Sequence, residues 1–413
     1  MMRRNTAMNG KKLLKRITLL CLCLALLAGS ACAEGIRLGT MARETLKYIC
    51  KMPDGRLLLA VRETGRRSGA SLVCLNPDRT VSWEYRDPLQ GVYCVFTHAA
   101  VLEDGTVAAV RYAELGDGAK RNTAVFLTPE GKATGKETEL PEYGAQTYAA
   151  EPSYLMELTM EASLCTTTLR DWDGNVIARY DGLAMCGGYG AKVMNDDSVV
   201  TYGTADGRGK IMKMDGLTDK VLWETILDLQ WEDTESVELT DAVKTEDGGY
   251  AVCLREGKPA EDDGDYEWRK ALVKVDADGK VLWVNREDLN TADRYMNITS
   301  WNGKILLRSV PETEREHAID APETFVWFDE NGKKLGTTEL TMTLDAFPAL
   351  REQLVPQDSS KPRIPVADYQ ELIPMADGLW AMVSCAVAEK DEFGFLDYPT
   401  GSEELVLIKV PEL

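Results

Sequence analysis

The stretch Ala271–Asp288, ALVKVDADGKVLWVNRED, decides the fold, because close variants of it recur along the chain. It consists of an apolar run, the turn sequence Asp276–Gly279 and a second apolar run that contains Trp283. Asp-Gly pairs favour two-stranded hairpins, since glycine adopts a positive φ without steric cost. The stretch therefore predicts two antiparallel strands joined by a tight turn.

A second kind of hairpin alternates with the first. Its examples include YICKMPDGRLLLAV (48–61), HAAVLEDGTVAAV (98–110) and AVKTEDGGYAVCL (242–254). One hairpin of each kind gives four short strands, and units of this kind begin near Leu46, Val92, Gln146, Gly187, Leu239, Asn297 and Glu371. Their mean length is about 54 residues, slightly above the usual period of a propeller blade. The pattern predicts an all-β fold, a seven-bladed β-propeller of four-stranded antiparallel blades. The third unit matches least well, because EPSYLMELTM (151–160) lacks an Asp-Gly turn.

The two ends of the chain predict how the ring closes. The last unit ends in ELVLIKVPEL (404–413), which supplies a third strand and no fourth. Near the N-terminus, GIRLGTMARE (35–44) resembles KKLGTTELT (333–341), the fourth strand of the sixth unit. We therefore predict that the N-terminal strand completes the last blade. Such closure removes the open edges that invite aggregation.

The first 33 residues have the order of a secretory signal peptide. A basic segment is followed by the apolar run 17–29 and by the small-residue stretch Ser30–Ala33. The apolar run is shorter than the ~20 residues that span a bilayer. Two alternatives remain, cleavage after Ala33 and lipid attachment at Cys32.

We expect one propeller domain at 34–413, with a long insertion at about 341–370. Its expected location is secreted or at the cell surface, and lipidation at Cys32 would be its membrane anchor.

Charge excludes one class of partner. The chain has a net charge of −20, and the first 33 residues contain six basic and no acidic residues. Removing them makes the protein still more acidic. Nucleic acids and acidic lipids would be repelled at long range, so we predict no nucleic-acid partner.

The cysteines and histidines do not form a metal-ligand pattern. Beyond residue 33 the cysteines are Cys50, Cys74, Cys94, Cys165, Cys186, Cys253 and Cys385, none in a C-x-x-C pair. Only His98 and His317 could join them, whereas a zinc site needs clustered ligands. We predict no metal and no cofactor, and interpret most of these thiols as small buried hydrophobes. A Cys50–Cys74 disulfide stays open, because the sequence does not give the distance.

Three acidic turns offer carboxylates that calcium could use. They are DWDG (171–174), DADG (276–279) and DENG (329–332). Calcium takes six to eight oxygens, and the further acidic positions of a helix-loop-helix calcium loop are absent. We interpret these sequences as hairpin turns.

No G-x-S-x-G motif occurs, and the two histidines leave few bases for a nucleophile. We therefore assign no catalytic residue.

Two segments carry a resemblance to a known family. They are MDGLTDKVLW (214–223) and VDADGKVLW (275–283), in which Trp223 and Trp283 lie on predicted fourth strands. Trp83, in another unit, also lies on a predicted fourth strand. These units resemble the repeats of bacterial extracytoplasmic propellers of the pyrroloquinoline-quinone type, also called quinoprotein-like. The quinone-binding enzymes of that group have a vicinal cysteine pair and a calcium and quinone ligand set that this sequence lacks. The resemblance thus implies the noncatalytic branch, whose members are envelope scaffolds or binding proteins. We interpret the three tryptophans as rings that fill the space between blades.

The position of the long loops gives a functional prediction. In this fold the second-to-third and inter-blade connections share one face, and long insertions on a rigid scaffold are common binding sites. Aromatic candidates there are Tyr143, Trp231, Tyr266, Trp268, Tyr295, Phe393 and Phe395. We predict an exported propeller that binds a protein or an envelope glycan through this face, without catalysis. The alternatives are an enzyme that uses the channel, either a quinone-dependent oxidoreductase or a polysaccharide-cleaving enzyme, and a structural member of an envelope complex.

Overall fold

The repeated units form seven small antiparallel sheets. In a computed structural model, six sheets have four strands in chain order, and a seventh combines strands from both ends of the chain. The structure describes residues 36–40, 44–63, 69–78, 80–89, 92–140, 145–161, 164–184, 190–194, 198–205, 208–215, 218, 220–227, 234, 236–259, 266–289, 293–311, 323–342, 347, 363–390, 396–397 and 404–413.

The strands are assigned to blades as follows. The N-terminal strand is β1 (Ile36–Thr40). Blade 1 contains β2 (Glu44–Lys51), β3 (Leu57–Glu63), β4 (Ala70–Leu75) and β5 (Val81–Arg86). Blade 2 contains β6 (Tyr93–Val101), β7 (Val107–Glu114), β8 (Lys120–Leu127) and β9 (Ala133–Leu140). Blade 3 contains β10 (Ala145–Ala150), β11 (Leu155–Glu161), β12 (Leu164–Arg170) and β13 (Val176–Ala184). Blade 4 contains β14 (Gly190–Met194), β15 (Ser198–Ala205), β16 (Arg208–Asp215) and β17 (Val221–Leu227).

The remaining blades follow the same scheme. Blade 5 contains β18 (Ser236–Lys244), β19 (Tyr250–Pro259), β20 (Tyr266–Val275) and β21 (Val281–Asn285). Blade 6 contains β22 (Asp293–Trp301), β23 (Lys304–Pro311), β24 (Glu323–Asp329) and β25 (Lys334–Leu340). Blade 7 contains β26 (Arg363–Met375), β27 (Gly378–Lys390), β28 (Leu396–Asp397) and β29 (Glu404–Lys409). The described part of the chain contains no helix, hence none able to cross a membrane.

The predicted hairpin turns form, and their aspartates explain why. Asp276 Oδ1 accepts backbone N–H bonds from Asp278 (3.0 Å) and Lys280 (2.8 Å), and Gly279 N–H donates to the Asp276 carbonyl. Asp171 and Asp329 do the same at the equivalent turns. The carboxylate thus holds the turn that brings the third and fourth strands together.

Blade 7 closes the ring with the N-terminal strand, as predicted. Its strand order is β1-β29-β27-β26, and β28 pairs separately with β27. Strands β1 and β29 are antiparallel, with Ile36 opposite Leu407 and Thr40 opposite Glu404. One sheet therefore holds both chain ends.

Among the described residues, the apolar core consists of seven clusters, one at each blade interface. Each cluster draws its members from two adjacent blades. Between blades 7 and 1, for example, Leu57 and Leu59 share a cluster with Trp380, Met382 and Leu407. Because blade 7 also shares a cluster with blade 6, the interfaces form an unbroken circle. The fold is a seven-bladed β-propeller.

The fourth-strand tryptophans contribute to these interfaces. Each ring packs on the turn glycine of the next blade, with Trp83 on Gly131, Trp223 on Gly279 and Trp283 on Gly332. Each indole N–H also donates to a carbonyl of that turn, at Pro129 (3.1 Å), Ala277 (2.8 Å) and Glu330 (2.9 Å). The rings therefore fill the space between neighbouring blades, as predicted, and their N–H groups form hydrogen bonds to the next blade.

The connections divide between two faces of the ring. The short-turn face carries the first-to-second and third-to-fourth turns. The long-loop face carries the second-to-third and inter-blade connections, the longest being 312–322, 341–362 and 391–403. Blades 3 and 4 have second-to-third connections of only two residues, at 162–163 and 206–207. The long connections thus belong to blades 6 and 7, whereas the β19–β20 connection of blade 5 is only 260–265. Of the insertion predicted at about 341–370, residues 363–370 belong to β26, and residues 343–346 and 348–362 lie outside the described residues, while Phe347 between them is buried.

Candidate functional site

The predicted aromatic site residues fall into two groups. Tyr143, Trp231, Phe393 and Phe395 lie outside the described residues. Tyr266 and Trp268 lie on β20 and Tyr295 lies on β22, so all three are strand residues and not loop residues. The sequence prediction missed this because β19 and β20 continue past the core into a longer two-stranded hairpin. Trp268 is the member of this set whose side chain the structure describes.

Trp268 forms a compact aromatic and charged group on blade 5. The Arg255 guanidinium carbon lies 4.1 Å from the centre of the Trp268 ring, in a cation–π contact. Arg255 also donates from Nε to Glu238 at 2.6 Å. Arg255 is on β19 and Trp268 is on β20, so the pair lies at the long-loop end of the blade. The ion pair holds the guanidinium against one side of the indole.

Further charges flank this group. Lys258 Nζ lies 2.8 Å from a carboxylate oxygen of Glu267, the residue before Trp268. The hydrogen bond from Lys258 lowers the pKa of Glu267. The end of the β19–β20 hairpin therefore carries Arg, Lys, Glu and Trp side chains, which can make both polar and apolar contacts.

A second aromatic group lies on blade 2 and was not recognised in the sequence. Tyr93 on β6 is directly opposite Glu114 on β7, which is opposite Lys120 on β8. The rings of Tyr93 and Tyr112 meet edge to face, with centroids 5.9 Å apart. The Tyr112 hydroxyl donates to Glu114 at 2.8 Å. Burial and this bond raise the pKa of Tyr112 to about 12. These four side chains lie at the long-loop end of their strands.

A buried ion pair lies on the opposite side of this blade, at its interface with blade 1. Arg111 on β7 donates to Asp87 (2.9 Å) in the blade 1 to blade 2 connection and to Glu137 (3.1 Å) on β9. Arg111 and Asp87 are buried. Burial alone would lower the pKa of Arg111, but the bonds that it donates to Asp87 and Glu137 outweigh that effect and raise it. Such groups fix the scaffold on which the exposed residues lie.

The described thiols are reduced, and all of them except the half-buried Cys50 are buried. Cys50, Cys74, Cys94, Cys253 and Cys385 form no disulfide. Cys50 and Cys74 both lie opposite Leu58, on strands two positions apart. Two inter-strand spacings amount to roughly 10 Å, beyond the ~7 Å that a disulfide bridges. The strand register therefore rules out a Cys50–Cys74 disulfide.

The reactivity of these thiols follows from their burial. Burial raises the pKa of Cys50, Cys94 and Cys253 to about 12. They therefore stay protonated at neutral pH and are poor nucleophiles. His98 is half-buried on β6 beside a β-bulge, and His317 lies outside the described residues. Among the residues that the structure describes, no three His, Cys, Asp or Glu side chains are grouped to hold a metal.

The chain has distant similarity to several solved structures. No protein-family model and no curated protein sequence matches it. Similar solved structures include the polysaccharide lyase Uly1, with a TM-score of 0.49 and 10% identity over 88% of this chain and 90% of that one. The β-propeller domain of the Trilobed protease from Pyrococcus furiosus has a TM-score of 0.47 and 10% identity, over 87% of this chain and 99% of that domain. Prolyl oligopeptidase B from Galerina marginata has a TM-score of 0.46 and 10% identity, over 83% of this chain and 47% of that enzyme. The chain therefore spans about half the length of that enzyme. These similarities concern the fold alone.

Proposed function

We propose that this chain is an exported propeller that binds a protein or a cell-envelope glycan through its long-loop face, without catalysis. Export is supported by the signal-peptide order of the first 33 residues. The noncatalytic quinoprotein-like kinship is part of the same proposal, and the repeated docking of Trp223 and Trp283 on turn glycines supports it.

The Arg255–Trp268 pair is the observation that carries the proposal. Trp, Tyr and Arg are the residues that dominate binding energy at protein interfaces. Here a guanidinium stacks on an indole, is held by Glu238, and lies near the end of a hairpin on a rigid sheet. Because less side-chain freedom remains to be lost, such a pair is prepared for binding. The combination of Trp and Arg favours a protein over a glycan as the partner.

Site-specific photo-crosslinking in the cells that make the protein tests this. A photoreactive residue at Glu267 would lie at the same end of β20 as Trp268 but on the opposite side of the strand, where the native side chain is 59% exposed. The matched control replaces Glu130, an exposed residue in the β8–β9 turn on the short-turn face. We expect crosslinks to one partner from position 267 and none to that partner from position 130.

The aromatic residues are then removed. Trp268→Ala, alone or with Tyr266→Ala, should abolish the crosslink while the circular dichroism spectrum and thermal midpoint stay close to those of the parent. Equal crosslinking from both faces, or a crosslink that survives the double substitution, would contradict the assignment of this face.

A further inference from the structure

A row of three side chains crosses blade 2 at its long-loop end. Tyr93, Glu114 and Lys120 are cross-strand neighbours on β6, β7 and β8, so they project from the same side of the sheet. The opposite side of these strands carries Cys94 and Ala113, which pack towards blade 1. The row therefore faces blade 3, at the rim where β6 enters from the inter-blade connection.

The row is open to solvent. Tyr93 is 39% exposed, and the side chains of Glu114 and Lys120 are 43% and 49% exposed. Tyr112 supports it from below, because its hydroxyl donates to Glu114 and its ring meets that of Tyr93 edge to face. The hydroxyl fixes the carboxylate beside an exposed aromatic ring.

This arrangement suits an ammonium group. A cation near an aromatic face is attracted by the ring, and a carboxylate adds a hydrogen-bond acceptor. Lys120 shows that an ammonium fits, since its Nζ lies 3.6 Å from a Glu114 oxygen. That separation exceeds a good hydrogen bond, and exposed pairs of this kind contribute little stability. Another ammonium can therefore displace Lys120 at small cost.

We propose that Tyr93, Tyr112 and Glu114 form a subsite for a lysine side chain of a protein partner, which displaces Lys120 from Glu114. The net charge of −20 favours approach of a basic partner. The subsite deepens the proposed function, and it rests on that function only for the statement that the partner is a protein.

Titration calorimetry at low salt, with an octalysine peptide as the probe, tests the subsite. Each of Glu114→Gln and Tyr93→Ala should weaken binding about two- to fivefold, the range of an exposed cation–π or charge contact. Lys120→Gln should strengthen binding, because it removes the internal competitor. An octaglutamate peptide should not bind.

The matched controls lie on the short-turn face of the same blade. Glu103→Gln and Lys132→Gln change the net charge by the same amounts as Glu114→Gln and Lys120→Gln, at exposed positions. They should leave the affinity almost unchanged. Equal effects at both faces would show attraction to net charge only and would overturn the subsite, as would a failure of octalysine to bind.

Two further outcomes separate the subsite from the proposed function. Tighter binding of a deacetylated chitooligosaccharide than of octalysine would overturn the choice of a lysine side chain. Octalysine binding that depends on Glu114, combined with absent crosslinks at position 267, would retain the subsite and reject the blade 5 surface.

Discussion

The packing of a tryptophan on a turn glycine gives the sharpest stability prediction. Gly279 has φ +85°, and a Cβ there would lie 2.6 Å from Trp223 Cε3 and 2.9 Å from Thr225 Oγ1. Gly279→Ala therefore incurs two costs. The left-handed backbone costs about 1–2 kcal/mol for a residue with a Cβ. Forcing the indole away costs about 1–3 kcal/mol, as overpacking does.

Gly118→Ala separates the two contributions. Gly118 has φ +83°, and a Cβ there would meet nothing within 4 Å. Gly118→Ala should therefore lose only the stability that the left-handed backbone costs, about 1–2 kcal/mol. Urea unfolding followed by circular dichroism compares the two variants with the parent, and equal slopes would justify comparing the midpoints. We expect Gly279→Ala to be the less stable by about 1–3 kcal/mol.

A double substitution checks the cause. Trp223→Ala removes the ring that the new methyl group would strike, so its effect and that of Gly279→Ala should not add. The combined loss should fall below the sum of the single losses. Equal destabilisation by Gly279→Ala and Gly118→Ala, or strict additivity with Trp223→Ala, would refute the reasoning.

Three other predictions concern buried polar groups. Arg111→Met should destabilise the fold by about 3–5 kcal/mol in urea unfolding, because it leaves the buried Asp87 carboxylate without its ion pair. Asp247→Asn should cost less than about 3 kcal/mol, because Lys274 is fully buried but Asp247 is 39% exposed. Partial burial would raise the pKa of Asp247, but bonds led by the one from Lys274 lower it to about 2. The advantage of the parent over Asp247→Asn should thus be complete above about pH 4 and vanish as the pH falls through about 2. Cys94 should resist thiol reagents at pH 7 until the protein unfolds, since its pKa is about 12.

Each of these has an outcome that contradicts it. Arg86→Met is the control for Arg111→Met, because the Arg86–Glu84 pair is exposed and should contribute little. Similar losses for both arginines would show that burial does not set the cost. A stability difference for Asp247→Asn that persists at pH 2 would reject the ion-pair explanation. Modification of Cys94 in the folded protein at neutral pH would show that the blade interface opens readily.

The local signals in the sequence predicted the architecture well. The Asp-Gly and Asn-Gly turns, the apolar runs and the unmatched ends are properties of short segments, so the hairpins and the closure by β1 followed from them. Even blade 3, which lacks an Asp-Gly sequence in its first hairpin, forms that turn with Glu151–Tyr154, and Glu151 N–H donates to the Tyr154 carbonyl. The neighbouring blades and its own strand pairing are sufficient for this one turn.

The site depended on information that the sequence does not contain. Tyr93 and Glu114 are separated by a complete hairpin, and only the β6–β7 register places them opposite each other. The bulge between Phe96 and His98 shifts that register, and no local pattern announces it. The sequence predicts Trp268 within a long insertion, yet in the structure it lies on β20, because the strand continues beyond the core. Pairing register and strand length are decided by tertiary contacts, which explains both errors.

Closure of the ring by the N-terminal strand can be tested directly by disulfide crosslinking. Thr40 and Glu404 are Cα partners in the β1–β29 pair, and antiparallel partners lie within the Cα range of a disulfide. Under mild oxidation, Thr40→Cys/Glu404→Cys should form an intramolecular crosslink in the folded monomer, seen by non-reducing electrophoresis and peptide mass spectrometry. The control, Thr40→Cys/Val221→Cys, joins β1 to the outer strand of blade 4 and should not crosslink within one chain. A crosslink to position 221, or none to position 404, would contradict a ring in which the chain termini share one blade.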